Sequence, residues 1–370
     1  MSEMDRRSFV KHLGGGVAAL CMGLPQKDAL AQQRQVKSTD SKRPKRITVE
    51  EHISWDEYGN YVSSLNTSSG APGMPHGAGG TTSTMTNGNR VSTDVLGDVA
   101  GLEMRLKDMD EAGIDMQVLS IRNPGVEEFE ASEGLKWAKK INNKLAEVAN
   151  RYPQRFAAFS SIPWQDPDAA VAELERAVKE LGLKGIKMDG TVKGEYLDSK
   201  RFWPIFRKAE ELNVPIFIHV EDPREGMKKF YDEFSESDAT TLGRDLDVCM
   251  EAARLIYSGL FDECPGLNFI LGHMGAGLAF WPGRMTGNGR LKKKPEEYVR
   301  RNFYAATSGN FYLPALMCCH YAMGADRILF AVDFPTESNK EAVKLIESAP
   351  ISEGDKEKIY HLNAERLFHI

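Results

Sequence analysis

Ile47-Thr48-Val49-Glu50-Glu51-His52 is the first strongly β-forming run of the chain, and it ends in a carboxylate and an imidazole two residues apart. Successive side chains of a strand alternate between its faces, so Glu50 and His52 point one way and Glu51 the other. Three later apolar runs finish in the same kinds of side chain: Phe217-Ile218-His219, Ile270-Leu271-Gly272-His273 and Phe330-Ala331-Val332-Asp333. Four short apolar strands, each ending in His, Asp or Glu, point to one site assembled from strand ends.

Working outward from these runs, strands and helices alternate. Met116–Ile121, Phe156–Ser160, Lys184–Met188, Pro215–Val220, Asn268–Leu271, Phe303–Ala306 and Arg327–Val332 read as further strands. Helical periods fall between them: one ending at Gly113, then 133–152, 166–181, 201–212, 246–259 and, at the end, 356–368. Asp166-Pro167 supplies a cap and a proline for a helix start. Eight strands that are short and continuously apolar suit a parallel sheet buried on both faces. The pattern is α/β and predicts a (β/α)8 TIM barrel over 46–370, with the candidate ligands on the C-terminal rim where barrel sites are built. An open doubly wound sheet is the other arrangement, and no Gly-rich dinucleotide loop follows the first strand to support it. After that strand comes a long insert, in which 63–90 is almost wholly Gly, Ser, Thr, Asn and Pro and reads as a mobile loop or lid. His76 within it reads as a solvated loop residue.

Composition narrows the function classes. With 370 residues, 41% of them apolar, the chain can bury a substantial core. A net charge of −6 without a basic stripe argues against nucleic acid as a partner, and no run of about 18 apolar residues is present to span a membrane. Arg6-Arg7-Ser8-Phe9-Val10-Lys11, a weakly apolar stretch to Leu24 and Ala29-Leu30-Ala31 read together as a twin-arginine signal peptide over 1–31. The expected address is therefore periplasmic, with 32–45 a polar linker. Cys249, Cys264, Cys318 and Cys319 show no zinc-finger spacing, and no disulfide is expected to be needed.

Taken in order, Glu50-x-His52, Ile218-His219, Leu271-Gly272-His273-Met274-Gly275, Thr307-Ser308-Gly309-Asn310-Phe311 and Asp326-Arg327-Ile328-Leu329-Phe330 through Asp333-Phe334-Pro335 resemble the amidohydrolase superfamily. Within it they are most similar to the gamma-resorcylate decarboxylase branch, from about residue 46 to the C-terminus, with 54–93 excepted. Arg254–Asp262 and Asn363–Phe368 match that branch too.

The resemblance implies one divalent metal ion, zinc or manganese, held by Glu50, His52, His219 and Asp333, with His273 and Asp333 as catalytic residues. It implies that Arg284, eleven residues after His273, grips the substrate carboxylate, and that Asn123 lines the pocket. The implied reaction is non-oxidative decarboxylation of a hydroxybenzoate-like aromatic carboxylate by a homo-oligomer, dimer or tetramer. Two positions depart from the branch. Ala276 stands where it has a glutamate three residues after the histidine, which removes a partner for His273. Glu221 stands where it has a basic residue near the substrate, either replacing the missing acid or repelling the same substrates. These departures keep open a metal-dependent hydrolase of an ester, a lactone or a C–C bond. A non-catalytic exported metal- or ligand-binding protein is a third reading. Glu51 reads as a surface charge or salt-bridge partner, and Lys187 as structural rather than a bridging ligand.

Overall fold

A computed structural model describes residues 43–68, 83–86, 89–92, 99–221, 236–287 and 289–370. The expected signal peptide over 1–31, almost all of the expected linker over 32–45, and His76 lie outside the described residues. The described chain runs β1 (Ile47–Ile53), α1 (Asp56–Ser68), an antiparallel hairpin β2–β3 (Ser83–Thr86, Asn89–Ser92), α2 (Val99–Ala112) and β4 (Met116–Ile121). It then alternates through α3 (Ala131–Arg151), β5 (Phe156–Ala158), α4 (Pro167–Lys179), β6 (Ile186–Asp189), α5 (Trp203–Glu211) and β7 (Ile216–His219). After these come α6 (Glu236–Tyr257), β8 (Phe269–Leu271), α7 (Pro295–Asn302), β9 (Phe303–Ala306), α8 (Leu313–Met323), β10 (Ile328–Leu329) and α9 (Asn339–Ser348). Short helical turns lead on to Phe368. Local signals set several boundaries: the Asp166 carboxylate accepts the Ala169 N–H at 3.2 Å with Pro167 in the first turn, and Ser338 caps α9.

The parallel strands form two arcs, β1-β4-β5 and β6 to β10. Backbone hydrogen bonds cross both seams. Ser160 N donates to Gly185 O at 2.8 Å and Lys187 N to Ser160 O at 2.9 Å, joining β5 to β6. Val49 N donates to Phe330 O at 3.1 Å and His52 N to Phe334 O at 2.8 Å, joining the end of the ring to its start. The result is the (β/α)8 barrel. Alternation along the strands sorts the apolar residues into two cores. Ile47, Val49, Val118, Phe159, Phe217, Ile270 and Leu329 fill the barrel interior, plugged from below by Ala364, Leu367 and Phe368. Their neighbours, such as Leu119, Ile186, Ile216, Ile218 and Phe269, face the helices.

The insert differs from expectation. Its first residues complete α1, and 83–86 and 89–92 pair as the hairpin strands. Polar composition suggests a loop here, but Tyr58, Tyr61 and Val62 put an apolar face on α1; Tyr58 and Tyr61 stack within 5.3 Å and 4.8 Å of the Trp137 ring. That packing outweighs the weak helix propensity of Gly, Ser and Asn. Helices α7 and α9 were likewise not evident from the sequence, and α6 starts ten residues before the expected 246.

Candidate metal centre

The register of β1 against β4 shifts between Thr48 and Glu51. Below the shift Ile47 and Val49 belong to the barrel interior; above it Glu50 and His52 reach into the mouth. Strand β7 brings His219 to the same place, one alternation above Phe217. Asp333 follows the last strand with φ +75°, a left-handed conformation costing a non-glycine residue about 1–3 kcal/mol. One donor atom from each of Glu50, His52, His219 and Asp333 lies within 4.8 Å of all the others.

These donors fit a divalent cation. Glu50 Oε1 and His52 Nε2 are buried without a well-formed hydrogen bond, His52 Nε2 lying 3.2 Å from Asp333 Oδ1. Buried polar atoms left this way are costly unless something binds them. Burial pushes the His219 imidazole down to about 3, with His52 beside it adding to the shift, and burial lowers His52 too. Both are therefore neutral at pH 7, as ligation requires. Their outer nitrogens are engaged: His219 Nδ1 lies 3.0 Å from Asp189 Oδ1 and His52 Nδ1 3.2 Å from Ser120 Oγ, which leaves each Nε2 for the centre. Burial pushes Glu50 up to about 7 against the pull of His273, and Ser308 Oγ bonds its other oxygen. Gly272 is required here, since a Cβ at that position would stand 2.6 Å from Glu50 Oε2.

His273 occupies the opposite wall on a left-handed turn after β8, with φ +50°. Its Nε2 is 3.8 Å from Glu50 Oε1 and 4.0 Å from Asp333 Oδ2. Its Nδ1 is 2.6 Å from Asp245 Oδ1, on α6. Burial opposes the charge of His273, but the Asp245 bond and the Glu50 and Asp333 carboxylates push it up to about 10. The expectation that Ala276 leaves His273 without a partner is thus corrected: a carboxylate from a different element takes that position. Glu221 does not replace the missing acid either. It lines the cavity, accepts the Thr191 N–H at 3.3 Å, and is pushed up to about 9 by burial and then by Glu128 and Asp189.

A cavity of about 410 Å³ opens over these groups, a size suited to a small ligand. His52, His219, His273 and Asp333 line its base, with Asn123, Arg122, Glu221, Arg244 and Asp245 around it. Asn123 donates to Val220 O at 2.9 Å and accepts from Lys187 Nζ at 2.9 Å. Lys187 also pairs with Asp189 and so stands behind His219 rather than in the ligand set. Arg284 is exposed on the turn Pro282–Arg284 and does not line this cavity. Glu51 is fully buried, contrary to its reading as a surface charge. Sequence reasoning missed Asp189, Asp245 and Ser120. Asp189 carried a usable signal, since it also ends an apolar strand; Asp245, inside a helix, carried none.

Residues 82–370 match the family model described as amidohydrolase. A gamma-resorcylate decarboxylase from Polaromonas sp. is 36% identical over 284 residues, covering 72% of this chain and 87% of that enzyme. The solved dihydroxybenzoic acid decarboxylase of Polaromonas sp., with bound manganese and the inhibitor 2-nitroresorcinol, has a TM-score of 0.74 at 32% identity over 88% of this chain and 97% of that one. For 5-carboxyvanillate decarboxylase from Sphingomonas paucimobilis the TM-score is 0.77 at 30% identity, over 89% and 100% of the two chains. This chain belongs to the amidohydrolase family and stands close, within it, to the gamma-resorcylate decarboxylases.

Proposed function

We propose that the protein is a metal-dependent carboxy-lyase that removes carbon dioxide, without redox chemistry, from a hydroxybenzoate-like aromatic carboxylate. The convergence of Glu50, His52, His219 and Asp333 at the floor of a cavity that also holds a charged histidine carries this reading. Manganese or zinc held by the four would fix the substrate's carboxylate and adjacent hydroxyl and spread negative charge. The relative with bound manganese favours that ion. The His273 imidazolium, its Nε2 4.0 Å from Asp333 Oδ2, gives up its proton, and the Asp333 carboxylate relays it to the ring carbon that bears the carboxylate. The bond from ring to carboxylate then breaks, its electron pair returns to the ring, and carbon dioxide leaves.

Among the described residues, Arg122 and Arg244 are the guanidinium groups lining the cavity. Phe280 and Trp281, just before the turn that carries Arg284, and Tyr312 and Tyr321 at α8 are exposed aromatics; they support assembly as a homo-oligomer, dimer or tetramer. The Arg6-Arg7 leader supports export by the twin-arginine route to the periplasm. Incubating the manganese-loaded protein with 2,6-dihydroxybenzoate and related hydroxybenzoates tests the reaction, with carbon dioxide release as the expected result. Acid formation from a lactone panel without carbon dioxide would point to hydrolysis instead; turnover of neither would point to a binding protein. Light scattering tests the assembly, and cell fractionation the address.

A further inference from the structure

Glu51, Gln117 and Arg105 form a buried hydrogen-bonded cluster outside the barrel wall that the chemistry above does not use. Glu51 is 0% exposed, Arg105 1% and Gln117 0%. Because Asp333 turns left-handed at the end of its strand, the N–H groups on either side of it leave the regular ladder, and buried N–H groups need acceptors. Glu51 supplies both: Val332 N donates to Oε1 and Phe334 N to Oε2, each at 3.2 Å. Arg105, on α2, donates to the carbonyl oxygen of His52 and, at 2.8 Å, to Gln117 Oε1. Its guanidinium lies 4.6 Å from the Phe334 ring centroid. Gln117 Nε2 completes the circuit to Glu51 Oε2 at 3.4 Å. Glu51 and Arg105, joined through Gln117, therefore grip the backbone on both sides of Asp333 and at His52, whose side chains face each other at 3.2 Å in the centre.

We propose that Glu51, backed by Arg105, is a positioning residue that locks His52 and Asp333 into their ligand geometry. Stability alone is a poor reason for such a cluster, since burying a carboxyl and a guanidinium carries a desolvation cost that apolar packing of the same volume avoids. Its bonds go instead to the backbone of the residues that must hold still. The inference rests on the metal-site reading, and the experiment separates the two. Glu51→Gln keeps the shape but presents an amide NH2 to one of the two N–H groups. In titrations of the full chain with Mn²⁺, this variant is expected to bind about 10–100-fold more weakly, with a broadened electron paramagnetic resonance spectrum of the bound ion. An unchanged affinity and spectrum, with only a lower melting temperature of the metal-free protein, would overturn the proposal. If Glu51→Gln does not fold, Arg105→Lys decides: it keeps the charge but loses the two-pronged hold on His52 and Gln117. About tenfold weaker Mn²⁺ binding is expected, and unchanged binding overturns the proposal. Failure of the wild-type chain to bind Mn²⁺ would sink the metal-site reading itself.

Discussion

The two ends of the barrel interior are built from the same strands and do opposite work. At the lower end Ile47, Val49, Phe217 and Leu329 meet Leu367 and Phe368, and the packing is apolar throughout. At the mouth, a few residues further along the same strands, Glu50, His52 and His219 are buried and Asp333 half-buried, with Glu50 Oε1 and His52 Nε2 left without well-formed hydrogen bonds. The lower end contributes hydrophobic burial; the mouth takes on desolvated charge that only a bound cation and substrate offset. A barrel therefore separates stability from chemistry along each strand, and substitutions at the two ends should fail in different ways.

The largest expected effect is at the mouth. His219→Ala should lower kcat/KM at least about 10³-fold and abolish stoichiometric Mn²⁺ binding, because only three donors remain; metal analysis of the purified variant checks this. Asp245→Asn comes next, with kcat down about 10²-fold. Its pH profile supplies the sign: the raised pKa keeps His273 an imidazolium at neutral pH and loses the proton as pH rises toward about 10. Without the Asp245 charge the alkaline limb should move to lower pH, and an unmoved limb would refute the pairing. Ala276→Glu should bring no gain, since Asp245 already occupies Nδ1 and Ala276 is buried with φ +51°; a clear rise in activity would show that Asp245 does not do that work. Phe368→Ala should change activity per folded molecule least of all. It empties the lower end and should cost about 3–5 kcal/mol of stability, read by denaturant unfolding, with Mn²⁺ affinity unchanged.

The sequence by itself determined the barrel and the strand-end ligand types, because short apolar strands punctuated by His, Asp and Glu are local patterns that survive into the fold. Tertiary structure alone decided three things. The shift after Thr48 set which side of β1 faces inward, and Glu51 went into a buried hydrogen-bond cluster through contacts with Gln117, Val332 and Phe334 from other elements. Asp245 reached His273 across 28 residues, a pairing that no strand or helix period encodes. Arg284, placed over the substrate by resemblance, lies on the exposed surface of the single chain. The physical reason is common to all three. Alternation and propensity act over a few residues, whereas partners for buried charge are supplied by whichever distant segments the closed barrel brings within hydrogen-bonding distance.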